Sequence, residues 1–312
     1  MTKVKRARPS RATPDRRAHC FGAHMSIAGG VHRALEAALA LRCDTVQLFV
    51  KNQRQWLAAP LQPDDLTRWF ELLPGLSGPP VAHATYLINL ASPDRRLWQR
   101  SREAFAQELL RCQTLRIPYL VVHPGSATTA RRSAAIRHVA KALDQIFDAH
   151  PDLTVQPLLE TTAGAGATLG ATFAELGEII GLLAAPQRVG VCVDTSHVFA
   201  AGYDLRQPAG YDAMIAEAQR AIGLSRIRCW HLNDSAAPCG SRRDRHAHVG
   251  HGHIGTAGFR HVLQDARFIG LPMILETPKE TDARGGSWDV RNLRRLRRIA
   301  AGAKPAPRDD AR

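Results

Sequence analysis

The 312-residue sequence predicts a (β/α)8 barrel whose strands carry metal-capable side chains at their C-terminal ends. Two observations support this. First, eight short apolar, β-leaning runs recur at residues 20–24, 45–50, 80–83, 118–123, 154–160, 189–194, 227–231 and 272–276. Most are followed by a Gly-rich or polar loop and then a helix-like segment. Strands alternating with helices form parallel βα units, and eight such units close a barrel. Second, besides the first run, which ends in His24, six of the others end in His, Glu or Asp, namely His83, His123, Glu160, Asp194, His231 and Glu276. Core packing gives no reason for this, because a polar group there must be paired or hydrated. In a barrel those side chains converge on the mouth where active sites are built. A doubly wound open sheet is the alternative, but no G-x-G-x-x-G follows the first run to support it.

In chain order, residues 1–18 hold Pro9, Pro14, many arginines and almost no large apolar residue, so they are expected to be disordered. The runs CFGAH, TVQLFV and PVAH then give the first three strands. PYLVVH, TVQPLLE, VGVCVD, IRCWH and PMILE give the other five. Helices are expected over 101–115, 133–147, 173–183, 212–222 and 288–301, and a frayed tail over 304–312. A single barrel domain over 19–303 is an ordinary size for this architecture.

Charge narrows the function. The chain has 42 Lys and Arg against 28 Asp and Glu, a formal +14. The first nineteen residues account for +6 of this, leaving +8 in the body. Such an excess favours a polyanionic partner, because Lys and Arg neutralise phosphates and release counterions. No apolar run approaches the ~18 residues of a membrane span, and no apolar stretch follows the basic start as a secretory signal requires. A cytoplasmic monomer is expected, associated with the nucleoid if the polyanionic partner is DNA. The six cysteines form no C-x-x-C pair, so the sequence suggests buried free thiols, neither a disulfide framework nor a thiolate zinc site.

Three further side chains extend the metal-capable set. Asp194 and His197 in DTSH, spaced i and i+3, project to one side of a turn. Asp244 and His246 in DRH share a face if that segment is extended. Any one of these residues alone would more often be a hydrogen-bonded core or loop group. Together they make nine nitrogen and oxygen donors without sulfur, enough for two or three ions. Imidazole mixed with carboxylate suits Zn2+, with Mn2+ or Fe2+ as weaker substitutes.

The strings GAHMSIAGG, FVKNQRQW, YLINLASP, VVHPGS, LLETTAGAG, VCVDTSHVFAAGYDLR, HLNDS, GSRRDRHAHVG and ILETP, running in order from Phe21 to Lys279, resemble those of the bacterial endonuclease IV family, zinc-dependent apurinic/apyrimidinic endonucleases. The resemblance implies three zinc ions per chain. His83, His123 and Glu160 would hold the first. Glu160 as a bridge, with Asp194, His231 and Glu276, would hold the second, and His197, Asp244 and His246 the third. It implies hydrolysis of the phosphodiester 5′ to an abasic site in duplex DNA, giving a 3′-hydroxyl and a 5′-deoxyribose phosphate, with Glu160 and Glu276 as catalytic metal ligands. It also places Arg54, Tyr86 and Leu87 as residues entering the minor groove, where wedge side chains unstack bases. On the residues alone, Tyr86 and Leu87 read as ordinary packing of a βα loop. After DRH the family often carries a carboxylate between two glycines. This chain has His251 there, which leaves the partner of His246 open. His248, His251 and His253 are expected to form an incidental polar loop, His24 to lie near the metals without ligating, and Asp234 to orient a loop. A metal-dependent sugar isomerase or epimerase is the enzyme alternative, since it shares the barrel. It would need neither Asp244 and His246 nor the basic surface.

Overall fold

The computed structural model describes residues 19–281 and 285–302; the tails expected at 1–18 and 304–312 lie outside the described residues. Eight parallel strands close a barrel. They are β1 (Cys20–Met25), β2 (Thr45–Phe49), β3 (Val81–His83), β4 (Tyr119–Val122), β5 (Gln156–Glu160), β6 (Gly190–Asp194), β7 (Ile227–His231) and β10 (Pro272–Leu275), and β10 pairs back onto β1. A two-stranded hairpin, β8 (Asp234–Ser235) with β9 (His246–Ala247), is inserted after β7. The helices are α1 (His32–Ala40), α2 (Pro63–Leu72), α3 (Arg95–Thr114), α4 (Arg132–Ala149), α5 (Phe173–Gly181), α6 (Thr195–Ala201), α7 (Pro208–Ala221), α8 (Gly255–Gln264) and α9 (Trp288–Ala300).

Local chemistry sets several boundaries. α3 starts six residues before the expected 101 because the Asp94 carboxylate accepts from Leu97 N (2.7 Å) and caps it. α7 starts at Pro208 rather than 212, the missing N–H of proline costing nothing in a first turn. Thr172 caps α5, and Glu175 ties down the residues just before the cap. The threonine hydroxyl accepts from Glu175 N, and the glutamate accepts from Gly170 N and Ala171 N. β4 and β10 stop one residue short of His123 and Glu276, so these two side chains sit just past the ladder.

The barrel interior follows the period of two of an extended chain. Val81, Val121, Leu158, Cys192, Cys229 and Ile274 form one buried cluster, separate from the larger core between strands and helices. Each lies two residues before one of the six strand-end donors. The same inward column therefore carries an apolar plug and, one layer higher, a polar group. Gly22 is required where β1 approaches β2, because a Cβ there would fall 2.3 Å from Thr45 O.

Candidate metal centre

Glu160 is the centre of the donor array. Its side chain has no exposure, and three imidazoles surround it: His123 Nε2 at 3.0 Å, His83 Nε2 at 3.1 Å and His231 Nδ1 at 2.9 Å. Burial alone would push this carboxyl up, but His231 and His123 outweigh that and hold it well below the usual carboxylate range. His83 is oriented by its other nitrogen, 2.7 Å from Ala84 O. Donor atoms of His83, His123 and Glu160 all lie within 4.8 Å of one another, as do those of Glu160, Asp194, His231 and Glu276.

Asp194 joins two parts of the site. It ends β6 and caps α6, its Oδ1 accepting from His197 N at 2.9 Å. This capping relation explains the i, i+3 spacing of DTSH: the aspartate is the N-cap and the histidine the third helical residue. Asp194 Oδ2 is thereby left facing the site, where it accepts from Asn233 Nδ2 (2.7 Å) and stands 3.6 Å from His246 Nε2. Asp194, His197 and His246 form a third mutually close group. Asp244 closes it from the solvent side, 3.2 Å from His197 Nε2 and 3.4 Å from His246 Nε2, with its side chain 46% exposed. Against its partial desolvation, the neighbouring His197 imidazole depresses the Asp244 carboxyl to about 2. Asp194, Asp244 and Glu160 in turn hold His197 charged well above the ordinary imidazole range, although burial opposes this. All nine expected donors thus meet at the mouth.

Two orienting residues escaped sequence reading. Gln47 on β2 donates to Glu276 Oε1 (2.6 Å) and accepts at Oε1 opposite His231 Nε2 (2.8 Å). Asn233 donates to Asp194 and accepts from Glu276 N at 2.7 Å. An inward polar residue two positions before the end of an apolar strand was the available signal for Gln47. His24 stands against Gln47 Nε2 (3.0 Å) and 3.8 Å from Glu276 Oε1. The partner of His246 Nδ1, left open by the sequence, is the main-chain oxygen of Glu276 at 3.2 Å. Asp234 gathers the 250–255 loop by accepting from Gly250 N, Ile254 N and Gly255 N. The expectation of an incidental polar loop needs correction for His248 and His251. His248 stacks on Trp288 with centroids 4.0 Å apart, and His251 meets the same indole edge-on, because a flat apolar ring at the start of α9 offers both imidazoles a packing surface.

At the rim, Arg54 is exposed and Leu87 half-buried. Tyr86 is 68% exposed and stands over Phe49 and His83, so its ring is not packed into the βα loop. The loops bearing Arg54 and Tyr86 are joined from below by a buried ion pair, Lys51 Nζ to Glu108 Oε1 at 3.3 Å. Lys51 also donates to Gln55 O (2.5 Å), while Glu108 accepts from Thr85 N and Thr85 Oγ1.

A family model described as a xylose isomerase-like TIM barrel matches residues 35–299. The "Probable endonuclease 4" of Chloroflexus aurantiacus is 46% identical over 286 residues, covering 91% of this chain and 99% of that protein. The chain belongs to the endonuclease IV family. A crystal structure of endonuclease IV from Thermus thermophilus superposes with TM-score 0.78 at 36% identity, over 91% of this chain and 99% of that one. A D-tagatose 3-epimerase-like protein superposes at TM-score 0.69 over 90% of this chain and 97% of its own, but at 21% identity it shows the barrel alone. Among the described residues, no helix of this endonuclease IV family member is long and apolar enough to cross a membrane.

Proposed function

We propose that the protein is a DNA-repair nuclease that cuts the phosphodiester 5′ to an abasic site in duplex DNA, using three dications of the zinc class. The observation that carries this reading is the third donor group. Asp194, His197, Asp244 and His246 stand beside the two groups that share Glu160.

The donors fit such ions. They are imidazole and carboxylate only, a set that suits zinc. His246 Nε2 is buried without a hydrogen-bond partner. Buried acids and imidazoles otherwise balance one another only by holding protons. When bound, ions of this class acidify water towards a pKa of ~7, hold a phosphate and stabilise a departing alkoxide. Glu160 would be shared by the first two ions, and Asp194 would set the spacing between the second ion and His197. Gln47 and Asn233 would orient the Glu276 carboxylate by donating to its two oxygens, at 2.6 and 3.4 Å. Hydrolysis would leave a 3′-hydroxyl and a 5′-deoxyribose phosphate, and no serine, cysteine or lysine nucleophile is required.

Arg54, Tyr86 and Leu87 would enter the minor groove. An exposed ring above the metal mouth is placed to fill the stack, and unstacking costs least where a base is already missing. The formal charge of +14 supports a phosphate-rich ligand over a neutral sugar. The test is incubation of the purified protein with a duplex containing a tetrahydrofuran abasic analogue, with and without chelator. Cleavage 5′ to the analogue, abolished by chelation and restored by zinc, is expected. Glu160→Gln should lower turnover by orders of magnitude while duplex binding persists. An uncut duplex under zinc loading, or full activity in Glu160→Gln, would refute the reading.

A further inference from the structure

The layer directly beneath the donor array contains two thiols with no part in the proposed hydrolysis. Cys192 and Cys229 are register partners on β6 and β7, and neither has any exposure. Their sulfurs and one ring nitrogen of His231 all lie within 4.8 Å of one another. Each cysteine sits two residues before a donor of the upper layer, Asp194 and His231 respectively, so the same inward columns carry soft ligands below and hard ligands above.

We propose that Cys192, Cys229 and His231 form a separate site for one thiophilic d10 cation, of the Cu(I) or Cd2+ kind. Thiolate donors favour such ions over those that carboxylates select. Two zinc–sulfur bonds of about 2.3 Å span at most about 4.6 Å, so sulfurs this close reach one ion after a shift of tenths of an ångström. The exchange needs no oxidant or reductant. Each S–H proton leaves to solvent as a sulfur–metal bond forms, and the His231 ring likewise gives up a proton to solvent before its nitrogen donates a lone pair.

The shared histidine couples the two layers. His231 Nδ1 stands 2.9 Å from Glu160 and 3.0 Å from Glu276, while Nε2 stands 2.8 Å from Gln47. Whichever nitrogen the soft ion takes, the ring gives up one of those contacts. On the reading that His231 holds the second dication, which this step alone rests on, capture below unseats the ion above. The site is then a built-in vulnerability to thiophilic metals. Both thiols are fully buried, so exchange is expected to be slow.

The test uses the full chain, stripped of metal and titrated with cadmium chloride, with thiolate-to-cadmium charge-transfer absorption as the readout. One equivalent should develop the band, and Cys192→Ser/Cys229→Ser should lose it while still taking up zinc. If the double variant does not fold by far-ultraviolet circular dichroism, the single variant Cys229→Ala serves, with the band expected to fall by at least half. A parent protein without the band overturns the site. So does a variant that keeps it in full, since the signal would then belong to Cys20, Cys43, Cys112 or Cys239. A second arm preloads zinc and follows its release with a chromogenic chelator. About one zinc should leave per cadmium captured. A full band without zinc release overturns the competition. A duplex left uncut by a chain that still binds cadmium refutes the proposed hydrolysis and leaves the thiol site standing.

Discussion

Replacing Lys51 by methionine tests whether the loops bearing Arg54 and Tyr86, proposed above to enter the minor groove, are held by a buried charge. The Lys51 and Glu108 side chains are 2% and 0% exposed and 3.3 Å apart. Methionine keeps the apolar stem but deletes the ammonium, leaving Glu108 with only Thr85 N (3.2 Å) and Thr85 Oγ1 (3.0 Å) as donors. Burial already raises this carboxyl against the pull of Lys51, so without the lysine it should rise further. Breaking one side of a buried pair costs about 3–5 kcal/mol. For a domain this large, each kcal/mol moves the melting temperature by roughly 2 °C, so the variant should melt roughly 6–10 °C below the parent. Lys51→Met/Glu108→Leu removes both charges and should regain most of the loss, since a matched apolar pair is often as stable as the ion pair. Calorimetry on zinc-loaded protein measures both. Because Lys51 also ties Gln55 O to this network, Lys51→Met should weaken abasic-duplex binding by more than its zinc content falls. A Lys51→Met protein melting within 2 °C of the parent would refute the argument. A double variant no better than the single would show that the packing, rather than the charge, was lost.

Other consequences are directly measurable. Tyr86→Ala removes an exposed ring, so it should weaken binding of an abasic duplex at least tenfold, with zinc stoichiometry and melting temperature unchanged; equal affinity of variant and parent would exclude a wedge role. Zinc uptake should weaken as pH falls, because His197 and His231 are held charged above the ordinary imidazole range and must lose protons to ligate; uptake independent of pH between about 6 and 8 would contradict the assigned donors. Incision should slow as salt rises, since phosphate contacts release counterions, and a salt-insensitive rate would argue for a small neutral substrate.

Much of this architecture was legible because barrels turn a linear period into a spatial one. Val81 and His83, or Leu158 and Glu160, are plug and donor on one inward column, and alternation alone predicts that the final polar residue of each run faces the mouth. What the sequence concealed depends on distance along the chain. Lys51 and Glu108 read as one basic and one acidic residue among many, and only the fold brings them to 3.3 Å. Asn233 carries no periodic mark, because an amide in a loop is as easily solvated as buried, and Gln47 is marked only by its inward place in an otherwise apolar strand. The stacking of His248 on Trp288 joins residues forty positions apart by way of α8, so no local pattern betrays it. The thiols were set aside for want of a C-x-x-C spacing, although parallel neighbours in a barrel bring cysteines together across a whole βα unit.

The barrel that epimerase-like proteins share explains only part of the site. The first two donor groups come from strand ends and their next residues, positions that any eight-stranded barrel of this shape supplies. The third comes from outside the barrel wall: His197 from the first turn of α6, Asp244 and His246 from the approach to and start of β9. That hairpin is held by pairing of Asp234 with Ala247 and of Ser235 with His246, and the Asp234 carboxylate anchors the loop that follows. Asp194 couples this addition to the barrel, since Oδ1 caps α6 while Oδ2 faces both His231 of the barrel, at 3.8 Å, and His246 of the hairpin, at 3.6 Å. A chemistry satisfied by two donor groups would leave His246 Nε2 buried without a hydrogen bond, facing only the carboxylates of Asp244 at 3.4 Å and Asp194 at 3.6 Å. On the proposed reading, a third cation held by His197, Asp244 and His246 would engage that nitrogen, below the exposed ring of Tyr86.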